Sequence, residues 1–150
     1  MGIGKKLFGY MPDGREVHLF VLENSKGMKT EITNFGGTIV TLYAPGRNGD
    51  FDDITLGYDK LEPYFENAPY YGSIIGRHAN RIEGAVFELN GVTYRLAQNN
   101  LKNHLHGGLK GFDKMLWNPE IINRNGNECL KLSYLSRDGE ENYPGNLSVD

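Results

Sequence analysis

Residues 86–96 read VFELNGVTYRL. Two short runs rich in β-branched and aromatic side chains flank a single Asn90-Gly91 pair. A two-residue connection of this kind needs positive φ at both positions, which Asn and Gly tolerate, so the stretch predicts a tight antiparallel hairpin. The same grammar recurs on both sides. Residues 17–22 (VHLFVL) are an apolar run closed by Glu23-Asn24, and residues 29–33 and 38–43 flank Gly36-Gly37. Residues 120–122 and 129–135 flank Asn125-Gly126-Asn127, which predicts a second hairpin, and residues 71–75 read as a further apolar strand. Only residues 59–67 (DKLEPYFEN) look helical, and Pro63 keeps that element short. With 20 glycines and turn signals roughly every ten residues, the pattern is that of an all-β sandwich or barrel in one domain, 1–150.

Charge and composition remove several function classes. Sixteen Lys and Arg stand against 19 Asp and Glu, a net charge of −3 with neither sign gathered into a block. Such a surface has no electrostatic pull toward nucleic acid or an anionic membrane. The single cysteine, Cys129, excludes an internal disulfide. The opening MGIGKKLFGYMPDG places no apolar run after its two lysines, unlike an ordinary secretion signal, and no apolar stretch reaches the roughly 18 residues of a membrane span. The expectation is a soluble, cytoplasmic protein.

Two polar constellations stand out. Residues 103–114 read NHLHGGLKGFDK, with His104 and His106 two apart and a glycine pair behind them. In a strand both imidazoles would share one face, a geometry that suits a metal, and H-x-H opens the cupin metal motif. The Glu which that motif wants next is replaced by Lys110 or Gly111, so a third ligand would have to come from His78 or His18. A turn whose histidines merely fill or cap is the plain alternative. The second constellation, Gly76-Arg77-His78-Ala79-Asn80-Arg81-Ile82, is rich in donors. It reads either as surface charge paired with Glu83 and Glu88 or as a donor cluster for a polyol or carboxylate, since guanidinium and amide groups bind oxygen in defined geometries. Neither constellation matches a phosphate loop.

Taken in order, the motifs resemble one family. They are Asp13-Gly14; ITNFGGTIV at residues 32–40; DITLGY at 53–58; GRHANRI at 76–82; Asn99-Asn100 with NHLHGG at 103–108; GFDK at 111–114 with Trp117; and DGEE with YPGNL across 138–147. The set is similar to the N-terminal portion of the aldose 1-epimerases, the galactose mutarotase family. The resemblance implies a large antiparallel β-sandwich, the supersandwich, with an aldose such as galactose or glucose in a cleft on one broad face. It implies that Asn80 and Arg81 bind sugar and that His106 is the first of two active-site histidines, both binding and catalytic. His104 falls where the family varies, so the resemblance gives its nearness to His106 no meaning. No cofactor and no metal are implied.

The implied reaction opens the hemiacetal, turns the C1–C2 bond and closes the ring from its other face. A base removes the anomeric hydroxyl proton while an acid protonates the ring oxygen, work suited to a carboxylate and an imidazole. In the family the second histidine and the glutamate base lie further along the chain than residue 150, and none of the 19 carboxylates here matches the base motif. Residues 147–150 (LSVD) begin a strand and stop, which reads as a larger protein cut short, with Trp117, Leu130, Leu132 and Tyr134 short of partners. A noncatalytic carbohydrate-binding sandwich and a cupin-like metalloenzyme are the rival classes.

Overall fold

A computed structural model describes residues 2–66 and 69–150. Five antiparallel strands form a sequential meander: β1 (Gly4–Tyr10), β2 (Glu16–Glu23), β3 (Lys29–Thr33), β4 (Ile39–Pro45) and β5 (Phe51–Asp53). In β2, Val17 and Leu19 turn inward, 0% and 4% exposed, and meet Phe35, Val40, Leu61 and Tyr64 in the main core. Leu61 and Tyr64 come from the short helix α1 (Glu62–Glu66) and the residue before it. Pro63 sits in the first turn, where no backbone N–H is needed. Residue 67, the expected end of the helical stretch, lies outside the described residues.

The stretch at 86–96 forms the expected hairpin. β6 (Arg81–Ile82) precedes it, and β7 (Val86–Leu89) pairs with β8 (Val92–Arg95), Leu89 facing Val92. Asn90 and Gly91 have φ of 53° and 76°, as a type I′ turn requires. β9 (His104–Leu105) follows and pairs with β6. A three-stranded sheet holds β10 (Asn118–Arg124), β11 (Asn127–Ser136) and β12 (Leu147–Val149), and Asn125-Gly126 is again a two-residue turn with positive φ. All of these pairings are antiparallel, and α1 is the α-helix among the described residues.

Buried Asn34 ties the first sheet to the approach of β10. Its Oδ1 accepts the His18 N–H at 2.8 Å, its Nδ2 donates to the Trp117 carbonyl, and its own carbonyl accepts the Trp117 N–H at 2.8 Å. The buried amide of Asn34 thereby finds partners for both its oxygen and its nitrogen.

Two expectations need correction. Residues 71–75 form no strand: Gly72 turns with φ 66°, and the segment bonds across the β3–β4 loop, Ile74 N–H to the Gly36 carbonyl and Ile39 N–H to the Gly72 carbonyl. Trp117 is not short of partners. It is 1% exposed, donates Nε1–H to the Phe112 carbonyl and packs against the rings of Phe112 and Tyr134. Leu130, Leu132 and Tyr134 are half-buried.

Candidate functional site

The β6–β9 pair brings the two constellations together. Arg81 faces Leu105 and Ile82 faces His104, so Asn80 and His106 stand side by side just beyond the ladder. The His106 N–H donates to the Asn80 carbonyl at 3.1 Å, and the Asn80 N–H donates to His106 Nδ1 at 3.0 Å. Because Nδ1 accepts, the neutral ring carries its proton on Nε2, and Nε2–H is the donor this imidazole has to offer. Both residues are left-handed, with φ of 66° at Asn80 and 52° at His106. Non-glycine residues keep such backbone only where their surroundings demand it, and they cluster at functional sites.

Arg81 completes the group. Its Nε–H donates to Asn100 Oδ1 at 2.9 Å and its Nη1 to Asn80 Oδ1 at 3.2 Å, while Asn80 and Arg81 are both exposed. The guanidinium is thus aimed by two amides with donors to spare. Tyr70 packs edge-on to the His106 ring at 4.7 Å. Beside Arg81 opens a cavity of about 630 Å³ walled by Ile82, Phe87, Leu89 and Pro144, but Asn80 and His106 do not line it. The hydrogen-bonded trio, not that hollow, is the candidate site.

The glycine pair behind His106 answers two close approaches. A Cβ on Gly107 would lie 1.7 Å from the Gly76 carbonyl oxygen, and one on Gly108 would lie 2.1 Å from Glu141 Oε2. With φ of 87° and 111°, both positions also sit where side chains are strained.

His104 and His106 do not share a face. β9 ends at Leu105, and the left-handed turn at His106 sends the two rings apart. His104 is fully buried; its Nδ1 lies 2.8 Å from the Ala97 carbonyl and its Nε2 2.8 Å from the Tyr143 hydroxyl. Burial pushes the Tyr143 phenol up to about 12, so its O–H remains a donor to that ring. His104 is therefore a structural pin, bonded at both ring nitrogens to partners other than those of His106. With both nitrogens engaged it cannot serve the paired metal site that H-x-H suggested. Among the described residues, no group of three or more His, Cys, Asp or Glu side chains is placed to hold a metal ion.

Arg77 and Arg81, four apart, have different partners. Arg77 donates from Nε to Ser136 Oγ, from Nη1 to the Pro144 carbonyl, and from Nη2 to the carbonyls of Ser136 and Arg137. Neither arginine forms an ion pair with Glu83 or Glu88 among the described residues.

Sequence reading passed over several participants. Asn99, Asn100, Asp113 and Glu141 sit in the quoted motifs without a role, and Tyr70 lies outside them. Asp113 is 3% exposed; burial pushes its carboxyl above the ordinary 3.8, with Lys114 opposing. Lys114 Nζ stands 3.2 Å from Oδ2, near enough for an ion pair but not aligned for a hydrogen bond, and Oδ2 has no hydrogen-bond partner. The Asp113 charge reaches both His106 and Tyr70. Membership in a motif was the sole sequence signal for Asn99, Asn100, Asp113 and Glu141, and Tyr70 had none.

The chain is similar to known proteins along nearly its whole length. The aldose 1-epimerase family profile matches residues 18–150. The chain is 43% identical to the galactose mutarotase of Bos taurus over 150 residues, which is 99% of this chain and 42% of that protein. It superimposes on the crystal structure of a galactose 1-epimerase from Lactobacillus acidophilus with a TM-score of 0.82 at 24% identity, covering 98% of this chain and 42% of that one. An aldose epimerase homologue from C. elegans gives a TM-score of 0.77 at 28% identity, covering 87% of this chain and 39% of that one. The fold is that of an all-β epimerase sandwich. The chain belongs to the aldose 1-epimerase family, and it spans about two fifths of the length of the relatives it matches.

Proposed function

We propose that the protein is the sugar-holding part of an aldose 1-epimerase that interconverts the α and β anomers of aldohexoses such as galactose and glucose. The observation that carries this reading is the reciprocal bonding of Asn80 and His106 with Arg81 beside them. It offers an amide, a guanidinium and an imidazole Nε2–H from one edge of the fold, donors of the kind that bind hydroxyl oxygens. A sugar held this way keeps its place while its ring opens, and such positioning supplies much of the rate.

The reaction needs a base at the anomeric hydroxyl and a proton for the ring oxygen as the C1–oxygen bond breaks, then the reverse after rotation. His106 holds or donates through Nε2–H. Asp113 is not assigned as the base, because at 3% exposure its carboxylate has no open path to a sugar hydroxyl. In this proposal the glutamate base and second histidine of the family come from sequence outside 1–150, so residues 1–150 alone do not turn sugar over. Cytoplasmic location and independence from cofactor and metal belong to the same proposal. Polarimetry of fresh α-D-galactose and α-D-glucose tests it: full-length protein dialysed against EDTA accelerates mutarotation, and failure to exceed the buffer rate refutes the enzyme reading.

A further inference from the structure

The loop that carries His106 is gripped by two side chains that themselves lie outside the sugar-holding trio. On one side stands Asn99. Its Oδ1 accepts the Leu105 N–H at 2.7 Å, and its Nδ2 donates to the carbonyls of Leu105 and Gly108 at 2.8 and 2.9 Å. One amide thus bridges the residue before His106 and the second residue after it. On the other side stands Glu141, whose carboxylate accepts the N–H groups of Leu109 and Lys110 at 2.9 and 3.0 Å, one on each oxygen. The 2.1 Å approach of Glu141 to the Cβ position of Gly108 shows why the second glycine of the pair is needed: the carboxylate occupies the space a side chain would fill.

Glu141 reaches this loop across 32 residues from a segment with its own anchors. Arg77 binds the carbonyls of Ser136, Arg137 and Pro144, and the Tyr143 hydroxyl pins His104. Glu141 and Asn142 adopt φ of 49° and 67°, left-handed backbone that a side chain takes only when its surroundings impose it. The same connection between β11 and β12 therefore holds the residue three before Asn80 through Arg77 and the residues three and four after His106 through Glu141. It fixes the spacing of the two halves of the site.

We infer that Asn99 and Glu141 are positioning residues of the epimerase reaction, a clamp that sets where the His106 imidazole meets the sugar. Neither acts on substrate; each acts through the backbone on either side of His106. The inference rests on the aldose 1-epimerase reading above. Loosening the clamp leaves the Asn80–Arg81 donors in place, so sugar binding persists while the imidazole wanders, and misplacement by about 1 Å can reduce a rate on the order of 100-fold.

The test measures kcat and KM for galactose in full-length Glu141→Gln and Asn99→Asp, with His106→Asn as reference and Glu128→Gln as a control carboxylate at the remote Ile3 N–H. Glu141→Gln keeps one acceptor and loses the other; Asn99→Asp keeps the bond from Leu105 N–H and loses both donors. The expected result is a kcat reduced about 10- to 100-fold with KM changed less than about threefold in both clamp variants, and the control unchanged. Unaltered kcat per folded molecule in the clamp variants, with His106→Asn impaired, overturns the clamp while sparing the enzyme. Indifference of mutarotation to His106→Asn as well overturns the reading beneath it. Failure of both clamp variants to fold, judged by circular dichroism, also overturns the inference, because the clamp would then be serving the fold and not the placement of one ring.

Discussion

Asn80 and His106 hold each other by their backbones and by one ring nitrogen: the carbonyl of Asn80 accepts the His106 N–H, and the Asn80 N–H points at His106 Nδ1. This exchange spans 26 residues and fixes both the place and the tautomer of the imidazole. The backbone pairing of Arg81 with Leu105 adds the guanidinium to the same edge.

His106→Asn separates the two histidines. The Asn Oδ1 stands where Nδ1 stood, so it keeps the bond from Asn80 while Nε2–H and the ring against Tyr70 are lost. Turnover of galactose by full-length protein is expected to fall by about 10²–10⁴-fold, the usual worth of a proton-handling group, with an unchanged melting temperature. His104→Ala is expected to do the reverse, losing about 2–4 kcal/mol of stability, since it empties a buried site and strands the Ala97 carbonyl and Tyr143 hydroxyl. Denaturant melts and polarimetry on both variants decide; equal catalytic loss without unfolding would contradict the assignment.

Arg81→Ala is expected to lower kcat/KM by about 10- to 100-fold, as loss of hydrogen bonds from a charged donor does. The side chain is exposed, so the melting temperature should hold. Asn100→Ala, which frees the guanidinium without removing it, should show a smaller loss of the same kind. A larger defect in Asn100→Ala than in Arg81→Ala would mean that the amide itself meets the sugar.

Arg77→Ala should act through the fold. It strips partners from the Ser136, Arg137 and Pro144 carbonyls and from the Ser136 hydroxyl. The expected cost is about 2–4 kcal/mol, more than one ordinary hydrogen bond, because the donors are charged and several. Lost activity in a variant that melts like the parent would assign Arg77 to the sugar instead.

Gly107→Ala is expected to damage stability and turnover together. Its Cβ would meet a backbone carbonyl, which cannot swing aside as a side chain can, and the position is left-handed besides. Gly126→Ala, at an open turn with nothing near, serves as comparison and should cost about 1 kcal/mol from φ alone. Equal melting temperatures for the two variants would show that the approach of Gly76 is relieved cheaply.

Asp113 supplies a pH test. Burial holds its carboxyl above the ordinary value of 3.8. The folded chain therefore binds this proton more tightly than the unfolded chain does. The stability it contributes is fully present below the unfolded value and is lost as pH rises through the folded value. Asp113→Asn removes that dependence, so its melting temperature minus the parent's should become more positive between about pH 3 and pH 7. A gap that stays flat, or falls, over that interval would show that Lys114 outweighs burial at this site.

The hairpins could be read from the chain because their cause is local. Asn90-Gly91 and Asn125-Gly126 supply positive φ at adjacent positions, and the β-branched and aromatic runs beside them have no better use than a ladder. The ordered motifs likewise pointed to the epimerase family, to an all-β fold, and to Asn80, Arg81 and His106 as a group. What no local pattern holds is which of two neighbouring histidines faces solvent, since alternation along β9 would have put both on one side. A left-handed residue at His106, imposed by Asn80 across the ladder and by the passage of the Gly76 carbonyl beneath Gly107, sends one ring outward and leaves the other against Tyr143. Tyr70, Asn99, Asp113 and Glu141 were silent in the sequence for the same reason. Their roles consist of bonds and fields between segments that the meander and the β11–β12 connection bring together, and only the folded chain makes those segments neighbours.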